Sequence, residues 1–145
     1  MEELYQEIIL EHNKRPRHFG PLPGATHRAD GRNPHCGDEL SVSLLREGDR
    51  IVEVRFQGQG CAISKASASL MTVALSGLPA DRARTLAGRV LHAFQPNGPD
   101  LLLEDDGELA ALLGVRRFPA RVKCATLAWH AFLCALEGGT RISTE

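Results

Sequence analysis

Two runs of alternating apolar and polar residues constrain the fold of this chain more than any other feature. Residues 40–44 alternate between apolar residues and serines, and residues 51–57 resume the alternation with charged or amide residues. The polar turn Glu47-Gly48-Asp49 separates the two runs. Because successive side chains of a strand point to opposite faces of a sheet, the pattern predicts a β-hairpin with one buried face and one wet face.

Apolar residues recur with helical spacing on both sides of the hairpin. The predicted helices cover residues 2–14, 62–76, 81–94, 107–113 and 119–137. Residues 25–30 predict one more strand, and the tail from Thr140 is predicted to fray. The sequence therefore predicts an α+β fold, a three-stranded antiparallel sheet covered by helices. With 145 residues, 43% of them hydrophobic, residues 1–145 are predicted to form a single domain.

Charge and hydropathy exclude several classes of function. The net charge of −1 gives no reason to expect a nucleic acid or a membrane surface as a partner. No apolar run approaches the roughly 18 residues that span a bilayer. The start, Met1-Glu2-Glu3, is acidic and does not resemble a signal peptide, so a cytoplasmic protein is predicted. Four cysteines in that compartment are expected to be thiols or metal ligands rather than disulfides.

The stretch Gly31–Glu39 places a thiol and a carboxylate two residues apart, at Cys36 and Asp38. Gly37 between them has no Cβ, so the backbone can turn tightly enough for both side chains to reach one point. The Asn33-Pro34 pair marks a turn just before them. This pattern predicts a loop for metal binding or thiol chemistry, although Asp38 could instead bond the backbone of its own turn.

Two further cysteines lie where a thiolate is favoured. Cys61 follows a glycine-rich turn at a predicted helix N-terminus, and Cys124 lies beside Arg121 and Lys123. With Cys36 and Asp38 they make a set of three sulfurs and one oxygen. Such a set suits a tetrahedral Zn²⁺ site or one edge of an iron–sulfur cluster.

Other interpretations of the same residue types remain open. Any single cysteine can be a small core residue, and Cys134, in an apolar helical stretch, is interpreted in that way. There is no C-x-x-C pair of the zinc-ribbon kind. His35 is a weaker candidate ligand, because neighbouring side chains in an extended segment point apart. The remaining histidines are predicted to be ordinary surface or boundary residues: His12, His18, His27, His92 and His130.

Three stretches resemble, in order, the cysteine motifs of the U-type iron–sulfur cluster assembly proteins, the NifU N-terminal and IscU-like family. They are Gly31–Asp38, Gly58–Met71 and Phe118–Trp129. Residues 4–5 and 12–20 also resemble the opening helix and loop of that family, so the resemblance covers nearly the whole chain. It implies a compact α+β domain with a three-stranded antiparallel sheet. The three cysteines and the aspartate would meet at one exposed end.

The sequence departs from the IscU branch of this family at three places, and at each of them it resembles the SufU branch. Lys123 stands where the scaffold branch, IscU, has a histidine before the third cysteine. Phe118–Lys123 replaces that branch's Leu-Pro-Pro-Val-Lys segment for chaperone recognition, and the chain between Phe94 and Phe118 is longer. The SufU branch binds zinc tightly and accepts sulfur from a cysteine desulfurase.

The resemblance therefore implies a zinc-bound sulfur acceptor, sulfurtransferase-like rather than a free-standing enzyme. Zinc would be held by Cys36, Asp38, Cys61 and Cys124, with Cys36 as the sulfur acceptor and Arg121 as a site-shaping cation. Its partners would be a SufS-like cysteine desulfurase and downstream iron–sulfur assembly or recipient proteins. The alternative is a scaffold on which a [2Fe–2S] cluster is assembled and transferred. A zinc hydrolase or deaminase is disfavoured, because no His-x-Glu or H-E-x-x-H pattern supplies a general base.

Overall fold

A computed structural model of the protein describes residues 2–100 and 107–144. Its helices are α1 (Glu2–Lys14), α2 (Ala62–Leu75), α3 (Ala80–Ala93), α4 (Gly107–Ala111) and α5 (Val122–Leu136). Its strands are β1 (His27–Asn33), β2 (Asp38–Glu47), β3 (Arg50–Gln59) and β4 (Arg141–Ser143). The α+β class predicted from the sequence is confirmed. None of the helices among the described residues combines the length and the apolar character needed to cross a membrane.

In the part of the chain that the structure describes, the sheet has four strands in the order β3-β2-β1-β4, whereas three were predicted. The first three are antiparallel, and β4 runs parallel to β1. The fourth strand comes from the tail that was predicted to fray. Gly138, with φ of +89°, turns the chain after α5, and the Asp30 N–H then donates to the Thr140 carbonyl at 2.9 Å. A strand can add to a sheet edge through backbone hydrogen bonds alone, whatever its side chains are. The side-chain pattern of the tail therefore did not predict this strand.

One face of the sheet is buried and the other is wet, as the alternation predicted. On β2, Leu40, Val42 and Leu44 are buried beneath the helices, and the residues between them are at least partly exposed. Buried apolar residues of the sheet and the helices form one hydrophobic cluster, in which Trp129, Phe56 and Phe132 are the largest fully buried side chains. This layer holds α5 against the sheet.

Gly31 sets how closely α5 approaches β1. A Cβ at Gly31 would lie 3.0 Å from Leu127 Cδ1 and 3.4 Å from Ala131 Cβ, so α5 packs on β1 more closely than a larger residue would allow without a shift of its neighbours. Two residues further along β1, Asn33 faces the same side of the sheet. The close approach therefore brings the first turn of α5, which carries Cys124, next to the end of β1.

The segment before α5 differs from the predicted helix. The helix predicted from residue 119 would place Cys124 in its second turn. In the structure Pro119–Arg121 is a single 3₁₀ turn and α5 begins at Val122, so Cys124 lies in the first turn of α5. The short helix predicted over residues 107–113 ends at Ala111 and continues as 3₁₀ helix over Leu112–Arg117. Part of the longer chain between Phe94 and Phe118, residues 101–106, lies outside the described residues.

The prediction that His12 is a surface or boundary residue is wrong. Only 3% of His12 is exposed. Its Nδ1 lies 2.7 Å from Ser69 Oγ on α2, and its Nε2 lies 2.7 Å from Glu108 Oε1 on α4. The partners stand 57 and 96 residues away along the chain, so only the tertiary structure provides them. His12 therefore joins α1 to two other helices.

Replacing His12 with alanine should destabilise the fold by about 2–3 kcal/mol, because it removes two hydrogen bonds and leaves a buried cavity. Urea unfolding followed by circular dichroism measures the effect. The exposed His92, whose ring lies 3.1 Å from the nearby Gln95 Oε1, supplies the control: His92→Ala should change the free energy of unfolding by less than about 0.5 kcal/mol. Equal losses in the two variants would contradict a structural role for the His12 contacts.

Candidate metal centre

The loop between β1 and β2 is a tight turn that holds Cys36 at its outer side. The Cys36 N–H donates to the Asn33 carbonyl at 3.3 Å, and Gly37 has φ of +71°, a backbone conformation that favours glycine. Asn33 and Asp38 are paired across the ladder on either side of this turn. The geometry agrees with the prediction that Gly37 allows Cys36 and Asp38 to approach one point.

Three of the four predicted ligands come together. One ligand atom each from Cys36, Asp38 and Cys124 lie within 4.8 Å of one another, and the two Sγ atoms are 3.1 Å apart. Asp38 and Cys124 are fully buried, whereas Cys36 is half-buried. The site is therefore built from two inner groups and one group that solvent can reach.

Cys61 lies at the edge of this group, with its Sγ outside the set of atoms within 4.8 Å. Its backbone N–H donates to Asp38 Oδ1 at 2.8 Å, and it is the N-cap residue of α2. Gly60 makes this approach possible, because a Cβ there would lie 2.7 Å from the same Oδ1 atom. Cys61 thus helps to orient Asp38 through its main chain, and its role as a ligand stays a prediction.

Asn33 is a polar residue of the site, although in the sequence it was interpreted only as part of a turn. It is fully buried, and its Nδ2 donates to Asp38 Oδ2 at 3.2 Å and to Cys124 Sγ at 3.4 Å. The alternation of β1 could have indicated this position. Residues 29, 31 and 33 lie on the same, inward face of the strand, so Asn33 faces the helices.

The surroundings of Cys36, Asp38 and Cys124 disfavour ionised thiols unless a cation is present. Burial is the main cause that raises the pKa of the Cys124 thiol, followed by its hydrogen bonds with Cys36 and Asp38. Arg121 lies at the exposed rim, with Nη1 3.9 Å from Cys36 Sγ. A hydrogen bond with Cys124, and then the charges of Cys61, Cys36 and Cys124, raise the pKa of Arg121, so its guanidinium stays charged beside the thiols.

Histidine does not take part in the group among the residues that the structure describes. His35 is exposed and lies outside it, and the Lys123 side chain is exposed. Cys134, predicted to be a core residue, is half-buried against the hydrophobic cluster, with its Sγ 3.5 Å from the Arg141 carbonyl. It lies outside the group that contains Cys36 and Cys124.

The donor set fits a divalent metal ion that prefers sulfur. Thiolates and a carboxylate are ordinary zinc ligands. Two thiolates on a tetrahedral zinc would stand about 3.8 Å apart, so the observed 3.1 Å requires Cys36 to move outward by less than an ångström, which its loop position permits. A buried carboxylate and two close thiols otherwise repel one another when ionised, and a cation removes that cost.

The fold and the site can be compared with known proteins. The family described as the NifU-like N-terminal domain matches residues 4–125, which includes Cys36, Asp38, Cys61 and Cys124. The chain belongs to this family. The family is one of iron–sulfur cluster assembly proteins, and the resemblance found in the sequence is confirmed.

Relatives of the NifU-like domain carry two different names. The chain is 39% identical over 142 residues to the zinc-dependent sulfurtransferase SufU of Bacillus subtilis (strain 168), covering 96% of this chain and 95% of that protein. It is 36% identical over 137 residues to the iron–sulfur cluster assembly scaffold protein IscU of Streptococcus pyogenes serotype M1, covering 94% and 85%. The crystal structure of a proposed iron–sulfur cluster assembly scaffold protein for the SUF system, from Fervidobacterium islandicum AW-1, superposes with a TM-score of 0.83 at 31% identity, covering 92% and 97%.

Proposed function

We propose that this protein takes sulfur from a cysteine desulfurase onto Cys36 while it holds a zinc ion, and passes the sulfur on for iron–sulfur cluster assembly. The observation that carries the proposal is the unequal placement of two adjacent thiols. Cys36 and Cys124 have their sulfurs 3.1 Å apart, but only Cys36 can be reached from outside. The name of the SufU relative, a zinc-dependent sulfurtransferase, supports the same function.

Zinc would be held by Cys36, Asp38, Cys61 and Cys124. When bound, the ion would keep the thiols deprotonated and protected from oxidation. Cys61 is proposed as the fourth ligand for two reasons. Its main-chain N–H already donates a hydrogen bond to Asp38. Burial is the main cause that raises the pKa of Cys124, and a hydrogen bond with Cys124 is the main cause for Arg121, but the charge of Cys61 raises both pKa values as well, so its thiol lies close to the site.

The sulfur transfer is a thiol exchange that needs no added oxidant or reductant. The Cys36 thiolate attacks the outer sulfur of the persulfide on the desulfurase. The S–S bond of that persulfide breaks, the desulfurase cysteine leaves as a thiolate, and Cys36 now carries the persulfide. The loop position of Cys36 suits a group that has to reach a partner and return. Arg121, 3.9 Å from Cys36 Sγ, would stabilise the anionic sulfur before and after transfer.

The exposed face beside Cys36 suits a partner with apolar and acidic side chains. Phe118 is 45% exposed, and the side chains of Arg121 and Lys123 are exposed on the same segment. Aromatic residues and arginine are enriched in protein interfaces, and exposed cations steer a partner of opposite charge. We therefore propose that the cysteine desulfurase docks on this side, and that downstream assembly or recipient proteins approach the same sulfur.

The metal content of the protein, purified from cells without added iron, tests the proposal against the scaffold alternative. One zinc per chain in colourless protein is expected. Brown protein with iron and acid-labile sulfide in place of zinc would contradict the zinc-bound acceptor and favour assembly of a [2Fe–2S] cluster on the same residues, the function that the name of the IscU relative describes.

Zinc affinity should rise with pH. Burial, and then the hydrogen bonds with Cys36 and Asp38, raise the pKa of Cys124, so this thiol is protonated at neutral pH in the absence of metal. Since zinc binds the thiolate, it must displace this proton. Between about pH 8 and pH 6 each unit of acidification should weaken binding by at least about tenfold. Competition with a chromophoric chelator, corrected for the chelator's own protonation, measures this, and a pH-independent affinity would exclude Cys124 as a ligand.

A further inference from the structure

We propose that Asn33 is a positioning residue that gives the two adjacent thiols different roles. Its side-chain amide holds Cys124 and Asp38 in place, so that Cys124 stays a ligand and the sulfur goes to Cys36. This inference rests on the proposed function, because it concerns which thiol of the same site receives the sulfur.

The amide of Asn33 contacts two of the proposed ligands at once. Nδ2 lies 3.2 Å from Asp38 Oδ2 and 3.4 Å from Cys124 Sγ, and an amide nitrogen carries two hydrogens, enough for both acceptors. The position of the amide does not depend on the flexible turn. Asn33 is the last residue of β1 and is paired with Asp38 in the ladder, so the sheet itself fixes where the donor stands.

The orientation of the amide follows from the chemistry of its neighbours. If the group were turned over, Oδ1 would face the Asp38 carboxylate, which is an acceptor, and the Cys124 sulfur, which is also an acceptor as the metal-bound thiolate of the proposed function. In the observed orientation Asn33 Oδ1 is buried without a hydrogen-bond partner among the described residues. Burying a polar side chain with one unsatisfied acceptor costs free energy, and the hydrogen bonds that its donor makes must offset this cost. The needed donor is Nδ2, and both of its acceptors belong to the site.

The amide makes no such contact with Cys36. Within the described residues it donates to Cys124 Sγ, whereas the groups that donate to Cys36 Sγ are the Arg121 guanidinium at the exposed rim, at 3.9 Å, and the Cys124 thiol, at 3.1 Å. Asn33 is fixed by the sheet, so its hydrogen bond ties the Cys124 sulfur in place, whereas the Arg121 side chain on the exposed rim can move together with Cys36 Sγ. Because the two sulfurs are only 3.1 Å apart, distance alone would not separate them for an incoming persulfide. Burial of Cys124 is the competing explanation, and a variant that removes only the donor distinguishes the two.

Asn33→Leu is that variant, since leucine has a similar volume and no donor. The purified chain is incubated with desulfurase and L-cysteine, and mass spectrometry of the peptides locates the extra sulfur. The parent protein should carry it on the Cys36 peptide, and the variant should carry about a tenth or more of it on the Cys124 peptide. Zinc affinity of the variant should fall about tenfold or more, as expected when a group that orients metal ligands is removed. The absorption of the cobalt-substituted protein should shift, because one thiolate loses its hydrogen bond.

Ser64→Ala is the matched control. Ser64 is as buried as Asn33 and lies beside Gly60, where Asp38 Oδ1 also lies, and its Oγ has no hydrogen-bond partner among the described residues. Its removal should leave sulfur placement, zinc affinity and the cobalt spectrum as in the parent. Equal changes in both variants would show that packing, and not the amide donor, is responsible, and would overturn the proposal.

Two further outcomes would test the positioning role of Asn33. If folded Asn33→Leu protein still carried sulfur only on Cys36 with parental zinc affinity, Asn33 would have no positioning role. Should this variant fail to fold, Asn33→Asp, which has the shape of asparagine but presents acceptors, should show the same redistribution of sulfur, and parental behaviour would again overturn the inference. Sulfur on no peptide of the parent protein would instead contradict the proposed function, so the two failures are distinguishable.

Discussion

Replacing Cys36 with serine is expected to abolish the stimulation of the cysteine desulfurase and the uptake of sulfur, while the fold stays intact. Serine cannot form a persulfide, and of the two adjacent thiols, Cys36 and Cys124, Cys36 is the half-buried one that a partner can reach. The fold should survive because the turn is shaped by its backbone. Gly37 supplies the positive φ, and the main-chain N–H of residue 36 bonds Asn33, neither of which needs the thiol.

Desulfurase turnover with L-cysteine, and peptide mapping of the extra sulfur, measure this result. Cys134→Ser is the matched control, because Cys134 is also a half-buried free cysteine but lies outside the group of candidate ligands. It should behave as the parent protein. Stimulation that persists in Cys36→Ser, or extra sulfur found only on the Cys61 or Cys124 peptide of the parent, would contradict the role of Cys36.

Removal of zinc is expected to lower the melting temperature by roughly 8–16 °C. The proposed ligands join the β1–β2 turn, the N-terminus of α2 and the first turn of α5, so the ion would cross-link parts of the chain that lie far apart in sequence. A ligand that binds only the folded state at about a thousand times its dissociation constant contributes about 4 kcal/mol. For a chain of this length each kcal/mol corresponds to about 2–4 °C.

Thermal unfolding before and after treatment with a chelator, with the metal content measured in both samples, tests this effect. Cys61→Ala, which lacks the proposed fourth ligand, should hold less zinc and respond less to the chelator. A melting curve that does not change when loss of zinc is confirmed would show that the site contributes nothing to folding. Full zinc content in Cys61→Ala would remove Cys61 from the ligand set.

The amino-acid sequence by itself determined the strands, the helix and the turn whose conformation is set by residues close to one another along the chain. The alternation at residues 40–44 and 51–57 predicted β2 and β3 and their buried face, because side chains of a strand alternate by geometry. Residues 2–14 predicted α1 with the bounds that the structure has. Gly37 between a thiol and a carboxylate predicted the tight turn, since its conformation is a local property. The sequence also named Cys36, Asp38 and Cys124, first as candidate donors and then through the resemblance, and the fold brings these three together.

Only the tertiary structure decided the contacts between groups that lie far apart along the chain. Whether His12 is buried depends on Ser69 and Glu108, and the role of Asn33 depends on Cys124, 91 residues further on. The fourth strand exists because the edge of β1 is free to pair with the tail, which no side-chain pattern encodes. Side-chain periodicity reports the burial of a face but not the identity of the groups that cover it. The hydrogen bonds that orient Asp38 and Cys124 therefore follow from packing, through the close approach of α5 to Gly31.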